Sequence, residues 1–259
     1  MLCHRVLSAL FLAQFAIVLG TQCWPGTPLA KAGWPEGVLL MLALGTTLAS
    51  LARQLPIQNV LLGCGIIAVI SAAVEVLGAL TSIPFGPFLY TSTVGPQLFS
   101  VLPCAVPVLW VVTLLNARGV GRLILRPWRR IRTYGFWLMG LTALLAVLFD
   151  FGLEPFACRV NHYWFWSPTK LPSNWYGAPW VNFLAWAITA LLILAFATPS
   201  LINKKPVKRP PDFHPLLVWS CLNFLLAAAA AAHQLWIAAG FVLASTITAA
   251  VFACRGASW

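Results

Sequence analysis

The sequence predicts an all-α protein, a polytopic transmembrane helical bundle of about eight spans with both termini in the cytoplasm. Three observations predict it. The 259 residues are 61% hydrophobic and only 8% charged, with a mean hydropathy of +0.88. A soluble domain usually carries about 25% charged residues and cannot hide this much apolar surface. The apolar residues fall into eight stretches, at about 6–21, 37–52, 58–80, 98–116, 134–152, 180–198, 215–232 and 235–254. Most approach the roughly 20 residues that a spanning helix needs. Finally, the basic residues collect in alternate connections.

The first stretch follows Arg5, as a signal peptide would, but "VLGTQCWPG" holds no clean small-x-small cleavage site. A retained helix is expected; cleavage would leave seven spans. The second and third stretches meet at a short turn around Arg53. The fourth and fifth are separated by "NARGVGRLILRPWRRIRT", read as a basic loop. The fifth closes with "LLAVLFDFGLEPF", where Pro155 is expected to stop the helix. An aromatic-rich loop over 153–180 leads into the sixth. The seventh and eighth are separated only by "AHQ" around His233, so they form a tight hairpin or one long broken helix. With no soluble segment or low-complexity tail, residues 1–259 read as a single integral membrane domain.

With eight spans, the N-terminus, the even-numbered loops and the C-terminus share one side. Of the 16 Lys and Arg residues, 13 fall there; Lys31, Arg159 and Lys170 fall on the other. This bias orients the bundle with its termini inside, and the basic loops suit anionic lipid headgroups. It accounts for the net charge of +11 without nucleic acid. The seven Cys (3, 23, 64, 104, 158, 221, 254) form no CxxC, and the four His residues are isolated. Neither a metal site nor a disulfide framework is expected, and the Cys read as small buried side chains. GxGxxG, Walker, HExxH and GxSxG motifs are absent, as is any fixed-period repeat, so cofactor-driven chemistry has no support.

Only five acidic residues occur. Glu36 and Asp212 lie at helix borders and read as ordinary solvated loop groups. Glu75 lies about five residues before the end of the third span, where an ionisable group is costly and a functional candidate by default. Asp150 and Glu154 share a helix face at i and i+4. Two carboxyls this close in apolar surroundings favour holding a proton between them. Helix capping, or pairing with Arg159 or Lys170, is the plainer alternative. Parity adds a constraint. The third and fifth spans run outward and the sixth starts on the outer side. Glu75, Asp150, Glu154 and Asn182 should therefore converge near the non-cytoplasmic face. The 153–180 loop also ends there, with Tyr163, Trp164, Phe165, Trp166, Trp175, Tyr176 and Trp180. An interfacial belt explains some of these rings. Their density and the Pro and Gly among them suggest a folded cap, whose aromatic faces suit a cation or a long polyene. "SIPFGPFLY" reads as a re-entrant or interfacial bend walling a channel, or as a plain turn.

Two ordered blocks, "EVLGALTSIPFGPFLYTSTVGPQLFSVLPCAVPVLW" and "DFGLEPFACRVNHYWFW…NWYGAPWVNFLAW", resemble the core of the CruF-type carotenoid biosynthesis proteins over about residues 70–190. That family includes membrane carotenoid 1,2-hydratases of the bisanhydrobacterioruberin hydratase type. The chain departs mildly, with Phe88 where Tyr is frequent and Ala185 where Gly is frequent. The resemblance implies hydration of the terminal C1,C2 double bond of a ψ-end carotenoid (lycopene, γ-carotene or bisanhydrobacterioruberin type), leaving a tertiary 1-hydroxy group. Such a reaction is redox-neutral, and no cofactor or metal is implied. The expected catalytic residues are Glu75, Asp150 and Glu154, with Asp150 or Glu75 donating a proton. The expected substrate contacts are Phe85, Tyr90, Trp164, Trp166, Asn182 and Trp186, with Glu154 or Asn182 holding water. Expected partners are a carotenoid, water, membrane lipids and other enzymes of the pathway. The expected location is the plasma or inner membrane, multi-pass, with the site toward the non-cytoplasmic side. A membrane carotenoid cyclase or isomerase, quenching the same cation by proton loss, is the first alternative. A non-catalytic carotenoid- or lipid-binding protein is the second; a transporter would more readily carry internal repeats.

Overall fold

A computed structural model describes residues 2–24, 26–168, 170, 175–202 and 210–259, with Ala30 and Lys31 by backbone alone. Among these, eight helices are long and apolar enough to cross a membrane, which makes this a multi-pass membrane protein. They are α1 (Leu2–Cys23), α2 (Trp34–Ala52), α3 (Ile57–Thr81), α4 (Ala105–Ile124), α5 (Tyr134–Pro155), α6 (Trp180–Ala197), α7 (His214–Ala232) and α8 (Trp236–Ala257). Pro35 and Pro215 sit in the first turns of α2 and α7, where a missing N–H costs nothing. α3 ends at Ser82 in the left-handed region (φ 65°), with the Ser82 N–H returned to the Gly78 carbonyl. α7 and α8 form a hairpin, turned by Gln234 at φ 61°.

α4 is the centre of the bundle. It packs against α2, α3, α5, α7 and α8, and Trp110, Val112, Ala117 and Val120 on it are fully buried. Its bounds differ from the expected 98–116. It starts late because Gln97–Leu98 (β2) pairs with Leu102–Pro103 (β3), which spends those residues in a hairpin. It runs on to Ile124 because Arg118 fits inside the bundle, its Nη2 donating to the Leu201 carbonyl at 3.2 Å. Arg118 and Arg122 therefore belong to the helix rather than to a basic loop. The other basic cluster, at 203–209, lies outside the described residues, as do 169 and 171–174 of the aromatic loop.

Three further expectations are corrected. Pro155 does not end the fifth span but changes its winding, and a π-helical turn continues over Phe156–Val160. Asp212 is no solvated loop acid. It ties α2 to α7, accepting from Ser50 Oγ at 3.0 Å, from Gln54 Nε2, and from the His214 backbone N–H at 3.1 Å. Glu36 is half-buried and accepts from Gln22 Nε2 at 2.9 Å. Among the cysteines, Cys158 is buried, whereas Cys3, Cys23 and Cys254 are exposed.

The all-α bundle carries one more β element. Phe88–Tyr90 (β1) pairs antiparallel with Trp164–Trp166 (β4), matching Phe88 with Trp166 and Tyr90 with Trp164. Hydrogen bonds from Thr91 to His162 and Tyr163, and from Ser167 N–H to the Pro87 carbonyl, extend the pairing. The bend before β1 rests on Gly78, where a Cβ would lie 2.6 Å from the Phe85 ring. Gly78→Val must push Phe85 off α3, an overpacking that costs about 1–3 kcal/mol. Gly65→Val, with nothing within 4 Å, should be neutral. Thermal unfolding of the two variants in detergent checks the difference.

Candidate active site

Asp150 and Glu154 do share a face of α5, one turn apart, and α6 brings Asn182 against both. The Asn182 amide donates to Asp150 Oδ2 at 2.8 Å and to Glu154 Oε1 at 2.9 Å. The second Glu154 oxygen accepts from Trp166 Nε1 at 2.8 Å, Trp164 Nε1 at 3.2 Å and Cys158 Sγ at 3.5 Å. The π turn after Pro155 sets Cys158 back beneath Glu154, and β4 delivers the two indoles. All of these donors are neutral. Arg159 turns away and donates to the Tyr176 carbonyl at 3.1 Å, so the ion pair weighed for Glu154 is replaced by neutral hydrogen bonds.

Glu75 reaches the same place from α3. Tyr90 Oη donates to its Oε2 at 2.8 Å, and Trp110 Nε1 to its Oε1 at 2.9 Å. Burial, and then the neighbouring Glu75, push the Tyr90 hydroxyl well above the usual phenol range, so Tyr90 stays a donor. Trp110 stacks on Trp186 of α6 with centroids 4.0 Å apart and planes 20° apart. The β1–β4 pairing presents Phe88, Tyr90, Trp164 and Trp166 on one face, with Phe88 edge-on to both Tyr90 and Trp166. Leu89 and Phe165 alternate to the other face and are 66% and 50% exposed.

These groups line a cavity of about 40 Å³. Of the nine residues singled out from sequence, eight line it: Glu75, Phe85, Tyr90, Glu154, Trp164, Trp166, Asn182 and Trp186. Asp150 is fully buried behind Asn182, and its Oδ1 has no hydrogen-bond partner. The remaining rings of the aromatic loop go elsewhere. Trp175 donates to the Phe151 carbonyl and packs on Phe151 and Phe241, on the α5–α8 side. Sequence reasoning passed over five wall residues, among them Trp110 and Phe88. These two stand inside the quoted 75–110 block, and Trp110 closes it. A tryptophan on an apolar helix gives no other sign that its N–H serves a buried acid.

Neutral donors around carboxyls in a buried cavity, walled by rings, suit a reaction in which a proton is delivered and a cation must survive briefly. Over 182 residues the chain is 28% identical to a bisanhydrobacterioruberin hydratase of Haloarcula japonica. That alignment covers 64% of this chain and 59% of the relative, so the match spans less than two thirds of the relative's length. No solved structure matches the chain. A family model described as carotenoid biosynthesis protein matches residues 36–251, most of the sequence. The chain belongs to the carotenoid biosynthesis protein family.

Proposed function

We propose that this protein hydrates the terminal C1,C2 double bond of a ψ-end carotenoid, working as one integral membrane domain with the site toward the non-cytoplasmic face. The observation that carries the reading is the cavity with carboxyls from two helices in its wall, Glu75 of α3 and Glu154 of α5, each held by neutral donors. Its 40 Å³ compares with the roughly 10–15 Å³ that one water requires. The hydratase relative supports water, rather than proton loss, as the quench of the cation.

In this mechanism Glu75, as the acid, protonates C2. The π electrons form the new C2–H bond and leave a tertiary cation at C1. The faces of Trp164, Trp166 and Trp186 and the Glu154 carboxylate stabilise that charge. A water held by Glu154 and Asn182 attacks C1, and Glu154 takes its proton. The cycle closes when that proton returns to Glu75 through cavity water. Glu154 suits the base because it accepts four hydrogen bonds, the pattern of a carboxylate. Asp150 lies behind the wall and acts through Asn182, holding a proton that keeps a second charge away from Glu154.

The test is expression in cells that accumulate lycopene or γ-carotene, with mass analysis of the pigments. A gain of one water per reacting end is expected; an isomer of unchanged mass would instead favour cyclisation. Glu75→Gln and Glu154→Gln should each lower the rate by about 10²–10⁴-fold, the usual worth of general acid–base assistance. Asp150→Asn should cost less and alter the pH–rate profile, and equal activity in all three variants would remove the assignment. Trp110→Phe keeps the stack on Trp186 but deletes the N–H to Glu75. The bond gains its full strength only as Glu75 gives up its proton and becomes a carboxylate; a hydrogen bond to a charged group is worth about 1.5–3 kcal/mol, so a fall of about 10–100-fold in kcat is expected, with KM little changed.

A further inference from the structure

A second cavity, of about 150 Å³, adjoins the first and shares Val106, Leu109, Leu153 and Trp164 with it. α2, α4, the end of α5 and α7 enclose it. Leu39, Phe149, Phe156, Leu225 and Leu226, all buried, make up much of its wall. Its rim is at Gly33, Gly37 and Thr93, which are exposed.

The few polar groups along it each have a partner within the protein. Glu36 accepts from Gln22, Thr93 Oγ1 donates to the His162 carbonyl, Tyr163 Oη is bonded to Asn161, and Trp164 Nε1 donates to Glu154. Burial also pushes the Tyr163 hydroxyl above the usual phenol range, so it carries no charge. A ligand lying here gains almost entirely apolar contact, because most of the 18 lining residues are hydrocarbon or aromatic and the few polar ones each already hold a protein partner. Such a lining disfavours a sugar, a phosphate or a peptide, each of which would lose its hydration, and fits a hydrocarbon chain. The carboxylate cavity alone has room for water and little more, so a reacting end group must be continuous with something in the neighbouring space.

We propose that this second cavity binds the acyclic polyene chain of the substrate. The chain enters at the gap between the start of α2 and the Ser92–Val94 turn. It passes beside Leu153 and Trp164 and presents its terminal double bond to Glu75 and Glu154. The proposal rests on the hydratase reading for the identity of the ligand. It assigns a binding role to α2 and α7, which lie outside the 70–190 core.

The test reads bound pigment directly. The full-length protein is purified in detergent from carotenoid-accumulating cells, and absorbance gives the pigment carried per protein. A Cβ added at Gly37 meets no atom within 4 Å, so Gly37→Phe can be accommodated in α2 while narrowing the entrance. It should lower bound pigment at least tenfold, as should Gly33→Phe, which keeps the reading decisive should one variant fold poorly. Gly140→Phe, at an equally open glycine away from the cavity, should carry wild-type pigment. Glu75→Gln should carry pigment without converting it. Wild-type levels of pigment in folded Gly37→Phe and Gly33→Phe, as expected if only lipid acyl chains fill the cavity, would overturn the proposal. Pigment lost at the rim variants but never hydrated by the wild type would uphold the cavity and remove the reaction.

Discussion

The two hydrogen bonds from Asn182 are the interaction on which the rest of the site depends. Asp150 is completely buried and Glu154 is 2% exposed, one turn apart on a single helix. Carboxyls so placed repel one another and lose hydration together. An amide answers both with one NH₂ group, but only if α6 meets α5 at that turn. The register of these helices is therefore tied to a polar contact and not to apolar packing alone, which in a bundle greasy on every face specifies little. Once Glu154 is fixed, Cys158 on the π turn and the two indoles of β4 have an acceptor to meet.

The choice of neutral donors has a chemical consequence. A Lys or Arg here would have satisfied the carboxyls at least as well. It would also have placed a permanent positive charge beside the point where the proposed reaction creates one. Indole N–H, amide and phenol groups hold the acids without cancelling their field, while the ring faces remain available to a cation. The same logic explains the short β1–β4 pairing. Backbone near membrane depth must find its hydrogen bonds within the protein. Two three-residue strands achieve this and, by alternation, send Phe88, Tyr90, Trp164 and Trp166 inward and Leu89 and Phe165 outward.

Much of this was legible in the sequence, because the underlying signals are strong. Apolar runs of spanning length can hardly be hidden, and with so few acids, each one within a span stands out. Counting spans then brings Glu75, Asp150, Glu154 and Asn182 to one end without any knowledge of contacts. What was not legible depends on direction. Periodicity could not say that Trp110 aims its N–H at Glu75, because the stretch around it, Ala105–Leu115, is apolar on every side but for Thr113. Nor could spacing say that Glu154 lines the cavity while Asp150 sits behind it; both are on one face, and one helical turn decides. The bounds of α4 were missed for a different reason. Arg118 reads as a loop residue by charge, yet its long apolar stem lies within the bundle and its head finds the Leu201 carbonyl.

Under the proposed hydration, the two cavities divide a problem that one could not solve. Hydrating a polyene requires a space that holds water beside a space that excludes it, because water along the chain would cost the apolar contact that holds the substrate. The boundary falls at Leu153 and Trp164, which line both. Trp164 suits that position. Its N–H is spent on Glu154, so the polar side of the ring belongs to the carboxylate cavity and its hydrocarbon surface is left for the other. Leu153 has no polar side-chain atom and directly precedes Glu154, so the same turn of α5 that supplies the proposed base also ends the apolar path. In the proposed reaction a single helical turn thus separates where the chain is gripped from where the water is held. The acid, base and end group can then meet only at the junction.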